Sequence, residues 1–160
     1  KAEGFPIKAI QEYMMTVLNS NFEDWRRANP DADYRTFKFN LKKMSVSGAL
    51  FDENKLLDVS KNRIARLKSY EVYDKLTAWA KEFDGEFYDI LTANPDFTKA
   101  MLAIDRDDSL KPRKDLATWR DAKPYMGFIF DKFFEIKEEY PEPKSSIEHF
   151  IPASCRLSIM

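Results

Sequence analysis

The chain has 160 residues, 44% of them hydrophobic and 33% charged, and a formal net charge of −1. This length predicts one domain, or two small ones that share a core, and the apolar content excludes a disordered chain. A net charge near zero provides no bulk attraction to nucleic acid or membrane, and the single cysteine, Cys155, excludes a disulfide framework and fits a reducing cytosol.

Hydrophobic spacing in the first part of the chain predicts helices. Ile7, Ile10, Met14, Val17 and Leu18 fall on one face of a helix over residues 6–20. A second helix is predicted over 22–28, with Trp25 directed inward. Residues 33–40 could form an extended piece or a helical turn, and residues 41–45 form one helical turn. Residues 51–67 form either one helix or two joined near Ser60, and Asp52 is the predicted N-cap of this segment.

The second part of the chain is also predicted to be helical. A helix is predicted over 69–83 with Ser69 as its N-cap, and another over 86–93. A further helix begins at 94–95 and carries Ile104. Leu116 and Trp119 indicate a short helix, and the last predicted helix spans 122–136. Residues 105–114 are predicted to form a charged loop. The Pro-rich segment after Glu138 predicts a linker or a frayed end, and residues 147–160 show no hydrophobic periodicity that would predict a helix or a strand. The sum predicts an all-α chain, an irregular bundle of seven to nine short helices.

Residues for catalysis or metal binding are scarce. The chain has one histidine, His149, and one cysteine, which are too few for a zinc site of the usual four-ligand kind. Any nucleophilic triad would have to use His149. The four glycines lie far apart, so no phosphate-binding loop is predicted. The carboxylate pairs lie in polar stretches where both groups stay ionised, and no run of ~20 apolar residues could span a bilayer. We therefore expect no cofactor, no metal and no membrane contact in this chain.

The small net charge hides an uneven distribution. Residues 35–68 carry nine basic and three acidic side chains, residues 69–110 carry four and ten, and residues 111–123 carry five and two. Two basic zones flanking an acidic one could contact a curved polyanion at two places through its phosphates. Basic side chains that merely solvate exposed helix faces would give the same pattern.

Three stretches resemble the bacterial glutamyl-tRNA synthetases, which are class I aminoacyl-tRNA synthetases. The most specific is Phe39-x-Leu41-x-Lys43-x-Ser45-x-Ser47-Gly48-Ala49-x-Phe51-Asp52-x-x-Lys55-Leu56. The others are Phe5-Pro6-Ile7-x-Ala9-Ile10-x-x-Tyr13-Met14 and the region 99–134. All three resemble the part of these enzymes that follows the catalytic domain. Lys43-Met44-Ser45-Val46-Ser47 is similar to the class I loop that steadies ATP, but Val46 replaces its second lysine, so we assign it no catalytic role.

The resemblance implies a division of the chain into three parts. Residues 1–68 would be a stem-contact domain, 69–140 the start of the helical anticodon-binding region, and 141–160 a linker or tail. The catalytic domain, which uses ATP and Mg²⁺, would lie upstream, and this fragment alone would not be catalytic.

The function implied is binding of tRNA(Glu) through its phosphates in the cytoplasm. The residues predicted to bind are Lys42, Lys43, Arg63 and Arg66 near the stem, and Lys111, Arg113 and Lys114 toward the anticodon arm. The alternative is a stand-alone helical module that docks protein partners through an exposed apolar patch and ignores RNA. A small independent enzyme is a third hypothesis, which no group of residues supports.

Overall fold

The structure, a computed structural model, describes residues 1–44, 50–107 and 109–135. Its α-helices are α1 Ile7–Leu18, α2 Phe22–Ala28, α3 Glu53–Ala65, α4 Ser69–Phe83, α5 Gly85–Ala93, α6 Pro95–Ala103 and α7 Ala122–Met126. Short 3-10 turns occupy Tyr34–Thr36, Leu41–Lys43, Gly127–Ile129 and Asp131–Phe133. The described ranges contain no strand beyond one isolated bridge between Asn19 and Met44. The predicted all-α fold class is confirmed.

The hydrophobic core is centred on α4. Helical spacing predicts a buried stripe on α4, and its members Val72, Leu76 and Ala80 are fully buried, whereas Phe83 at its end is 40% exposed. Helix α4 packs against both α5 and α6. The other buried members of this cluster are Ile64, Leu67, Phe87, Leu91, Leu102, Leu116, Trp119, Ala122 and Met126. Ile64 and Leu67 lie before the predicted domain boundary at residues 68 and 69, so the core includes residues from both predicted domains. The division into domains itself stays a prediction.

Helix α1 presents its apolar face to solvent. The side chains that it buries are Ala9, Glu12 and Tyr13, on the side that contacts α2 and α3. Of the predicted apolar face, Val17 is half-buried and the other four residues are exposed. The inner side depends on a polar anchor as well as on packing, since the Tyr13 hydroxyl accepts a hydrogen bond of 2.8 Å from the Asp52 amide.

Two helix starts test the predicted caps. The Asp52 carboxylate accepts the Lys55 amide at 3.1 Å, so this cap is confirmed, and α3 continues through Ser60 as one helix. The predicted Ser69 cap is wrong because Ser69 is the first residue of α4. Its amide donates instead to the Asp107 carboxylate at 2.7 Å, a partner 38 residues away that local spacing could not reveal.

The predicted helix at Leu116–Trp119 is absent. Main-chain donors there have other partners: the Asp121 carboxylate accepts from Ala117 at 3.1 Å and Thr118 at 2.8 Å, and the Trp119 amide donates to the Gly4 carbonyl at 3.0 Å. The hydroxyl of Ser60 in α3 also donates to the Ala117 carbonyl. Leu116 and Trp119 are buried as expected, but in an irregular segment.

The predicted helix 122–136 is wrong beyond Met126, where α7 ends. A 3-10 turn follows, and Phe130 is extended (φ −104°, ψ 123°), which interrupts any helix. Phe130 and Phe133 in these turns are partly buried and pack against the core. The predicted turn at residues 45–48, His149 and the tail over 141–160 lie outside the described residues.

Candidate nucleic-acid interface

The adjoining ends of the two predicted basic zones meet at one cleft. This basic cleft is a cavity of about 590 Å³ between the C-terminal end of α3, the turn after α2 and the segment that follows α6. Its charged lining residues, among those described, are Arg66, Lys68, Arg106, Lys111, Lys114, Asp31 and Asp107. The cavity is positively charged, because five basic groups and two acidic ones line it. A concave surface concentrates the electrostatic potential of the charges that line it.

Arg66 is built into the wall of the basic cleft. It follows the last residue of α3, and its guanidinium donates a hydrogen bond of 2.6 Å to the Pro30 carbonyl. Burial lowers the pKa of Arg66 from its ordinary value, although an arginine keeps its charge at neutral pH. Asn62, one turn earlier on the same helix face, lines the cleft beside it.

Arg106 and Lys68 tie the cleft together. The Arg106 guanidinium donates to the carbonyls of Ile64 at 2.8 Å and Leu67 at 3.2 Å, joining the segment after α6 to the end of α3. Burial lowers the pKa of Arg106. The Lys68 amine donates to the Asp107 carbonyl at 2.7 Å. Sequence patterns did not single out these two residues, because the contacts that place them at the cleft join parts of the chain about 40 residues apart.

Lys111 and Lys114 supply the exposed charge of the cleft. Both side chains are exposed, and neither forms an ion pair within the described ranges. Lys114 also lines a neighbouring cavity of about 410 Å³ together with Arg66, Arg26, Arg27 and Lys55. Three of the seven predicted residues, Arg66, Lys111 and Lys114, therefore share one surface.

Arg63 lies beside the basic cleft but does not line it. It is half-buried on α3 and lines a smaller cavity of about 150 Å³ with Lys8, Glu12, Asp31 and Tyr34, among others. Asp31 lies between the two cavities, since it lines both.

Lys42 and Lys43 lie on a separate 3-10 turn. The Asn40 side chain accepts the Lys42 amide at 2.9 Å, and the Lys43 carbonyl accepts the Ser20 amide at 3.4 Å. Both side chains are exposed, and neither residue lines a cavity described here.

Arg113 belongs to a different surface from its neighbours in sequence. Its guanidinium is 2.7 Å from the Asp115 carboxylate and lies over the ring of Tyr125, whose hydroxyl donates to Asp115 at 2.7 Å. These groups edge an apolar cavity of about 400 Å³ next to Ile104 and Phe128. The Arg113 charge is thus largely compensated.

Metal-binding clusters and membrane-spanning helices are absent from the part of the chain that the structure describes. That part holds no group of three or more His, Cys, Asp or Glu side chains that could bind a metal ion. None of its helices is long and apolar enough to cross a membrane.

Comparison with known proteins decides the family. No protein-family model and no solved structure matches the chain. The chain is 47% identical over 146 residues to the glutamate–tRNA ligase of Clostridium beijerinckii, a match that covers 90% of this chain. The glutamate–tRNA ligases of Acetivibrio thermocellus and Sorangium cellulosum are 45% and 36% identical, and each match covers 87% of this chain. The chain belongs to the glutamate–tRNA ligase family.

The match concerns one region of these ligases. It covers 26% of the Clostridium beijerinckii protein and 25% and 24% of the other two, so the chain spans about a quarter of their length. The region is the C-terminal one, as the resemblance implied. Five basic and two acidic side chains line the basic cleft of this region, among the residues described.

Proposed function

We propose that this chain is the tRNA-binding region of a glutamate–tRNA ligase. It would hold tRNA(Glu) by its phosphates while a catalytic domain upstream in the same polypeptide performs the ATP-dependent ligation in the cytoplasm. We assign ATP and Mg²⁺ to that catalytic domain and no chemical step to the residues described here.

One observation carries this proposal: Arg66, Lys111 and Lys114 line the same cavity although they come from separate basic zones. Arg66 is fixed by its bond to Pro30, whereas Lys111 and Lys114 project freely, so the cleft combines one positioned guanidinium with two adaptable ammonium groups. Such a set suits a sugar-phosphate backbone, which needs charge and register rather than base-specific contacts.

The other predicted residues extend this surface. Arg63 adjoins the basic cleft through Asp31, and we propose that it adds to the local field there. Lys42 and Lys43 would contact RNA at a second place, because their turn is not part of the cleft. Arg113 remains a proposed contact, with its charge already shared with Asp115.

The test is a titration of tRNA(Glu) against the chain at several salt concentrations. Each phosphate contact contributes a slope of about −0.7 to −0.9 to the dependence of log K on log salt. Reversing the charge at both positions with Lys111→Glu and Lys114→Glu should weaken binding at least tenfold. It should also reduce the magnitude of the slope of log K against log salt by about two units.

The matched control is Lys75→Glu with Lys81→Glu. Both lysines are exposed on α4 and form no ion pair within the described residues, so the change in net charge is the same but lies away from the cleft. Equal loss of affinity in the two double variants would show that only net charge matters, and salt-independent binding would overturn the phosphate account.

A further inference from the structure

The outer face of α1 carries a continuous apolar stripe. Ile7, Ile10, Met14 and Leu18 are 68%, 41%, 48% and 38% exposed. At 100° per residue these four positions fall within an arc of about 80°, whose centre is about 150° from the centre of the side buried by Ala9, Glu12 and Tyr13. The helix is therefore amphipathic, with its apolar stripe directed away from the core of this chain.

More exposed apolar side chains lie in the same part of the chain. Of the eighteen large hydrophobic side chains exposed in the described residues, nine lie between residues 7 and 51. Phe51, 70% exposed, packs edge-on against Tyr13 on the inner side of α1, with ring centroids 5.7 Å apart, so it does not extend the stripe itself. Met44, which forms a bridge with Asn19 just after α1, is 37% exposed. The four exposed apolar side chains in line on α1 form a contiguous patch, which marks a contact surface in a way that single scattered surface hydrophobics do not.

We propose that this stripe packs against the catalytic domain of the same ligase polypeptide. The inference rests on the proposed function, which places that domain upstream. The relatives are about four times as long as the segment that this chain matches, so most of the ligase is available to cover the stripe.

The size of the stripe favours a covalently joined partner over a second copy of the chain. Eleven residues of rise give a strip about 17 Å long and 10 Å wide, on the order of 200 Å² in outline. A stable dimer needs about 800 Å² on each subunit. A domain in the same polypeptide loses little translational entropy when it docks, so a smaller apolar contact is sufficient to keep it bound.

The experiment compares the isolated chain with a full-length hybrid. In the hybrid, this chain replaces the matching segment of the Clostridium beijerinckii ligase. Ile10→Cys and Met14→Cys are placed separately in a Cys155→Ser background, and labelling of each introduced thiol by a maleimide is followed by mass spectrometry of its peptide. Labelling should be at least tenfold slower in the hybrid than in the isolated chain.

Tyr70→Cys is the control, since Tyr70 is 58% exposed on α4, outside the stripe, and should be labelled within twofold in both proteins. Equal labelling rates at positions 10 and 14 in both proteins would overturn the proposal. Slow labelling of the isolated chain that accelerates on dilution would identify a second copy as the occupant and would also overturn it.

A second readout separates docking from folding. Ile10→Asp should lower the unfolding temperature of the hybrid but leave that of the isolated chain unchanged, because position 10 is outside its core. Equal losses in both proteins would count against docking. These measurements contain no RNA, so a chain that fails to bind tRNA but is protected in the hybrid would disprove the RNA proposal alone.

Discussion

Arg26 and Arg66 donate to the same carbonyl oxygen, that of Pro30, at 3.3 Å and 2.6 Å. Arg26 also donates to the carbonyls of Asn29 at 3.0 Å and Ala32 at 2.6 Å, so it fixes the turn after α2. The Glu12 carboxylate, 2.9 Å from Arg26, compensates this buried charge. A buried ion pair thus positions the turn against which Arg66 is held at the basic cleft.

Breaking this ion pair should destabilise the fold strongly. Glu12→Gln keeps the shape of the side chain but leaves the Arg26 guanidinium buried without a compensating charge. Both side chains are nearly inaccessible, 6% and 11% exposed, so solvent cannot replace the carboxylate. We expect the free energy of unfolding to fall by roughly 3 kcal/mol in a urea titration.

Asp24→Asn is the control for this prediction. It removes the carboxylate that pairs with Arg27 at 3.2 Å, where both side chains are more than 70% exposed. An exposed pair contributes less than about 1 kcal/mol, so a small loss is expected. Similar losses in the two variants would mean that the buried pair does not hold the turn.

Asp107 should make stability depend on pH. Desolvation opposes its ionisation, but hydrogen bonds from the Ser69 amide and hydroxyl outweigh this effect and lower the pKa of Asp107 below 3.8. Because the folded-state pKa is below the unfolded one, the stabilisation is complete above pH 4 to 5 and is lost as the pH falls through the folded value. The difference in unfolding free energy between the wild type and Asp107→Asn should therefore shrink toward pH 2.

Asp89→Asn is the control for the pH profile. The Asp89 side chain is exposed on α5, and its carboxylate has no hydrogen bond or ion pair within the described ranges. Its profile should follow that of the wild type at every pH. A difference for Asp107→Asn that stays constant down to pH 2 would contradict the role of the ionised carboxylate.

Local patterns in the sequence predicted the features that depend on local chemistry. The Asp52 cap, α2 and the buried stripe of α4 all follow from residues within a few turns of one another. Patterns also placed an apolar face on α1, but they could not show that this face points outward, since Tyr13 and the Glu12–Arg26 pair decide the orientation.

The candidate site could be predicted only in part, for a related reason. Charge counting found the basic zones, but their meeting depends on Arg106, which joins the ends of α3 and α6. Likewise, Lys111 and Arg113 are two residues apart, yet one lines the basic cleft and the other turns to Asp115 and Tyr125. Such differences depend on tertiary contacts that no local pattern records.

Gly4 should not tolerate a side chain. It has a φ of +80°, and a Cβ there would lie 2.8 Å from the Trp119 amide nitrogen, a main-chain atom that cannot easily move. Gly4→Ala should therefore lower the free energy of unfolding by about 2 kcal/mol, from backbone strain and steric conflict together.

Gly85→Ala is the matched control. Nothing lies within 4 Å of a Cβ at Gly85, the first residue of α5, and its φ is outside the left-handed region. Alanine there should leave stability unchanged or raise it by up to about 1 kcal/mol. Equal thermal unfolding of the wild type and Gly4→Ala would show that the Gly4–Trp119 contact is not held in solution.

Neighbouring charges in the segment after α6 should differ in their effect on RNA binding. Lys114→Gln removes an amine that has no ion-pair partner among the described residues, so the salt slope for tRNA(Glu) binding should fall by about one unit. Arg113→Gln should change the slope by less than about half a unit, because Asp115 at 2.7 Å and Asp105 at 3.9 Å already compensate Arg113. Filter-binding titrations of both variants, each with its unfolding free energy measured, provide the comparison. A larger slope change for Arg113→Gln at unchanged stability would move the phosphate contact away from the basic cleft and toward the edge of the apolar cavity.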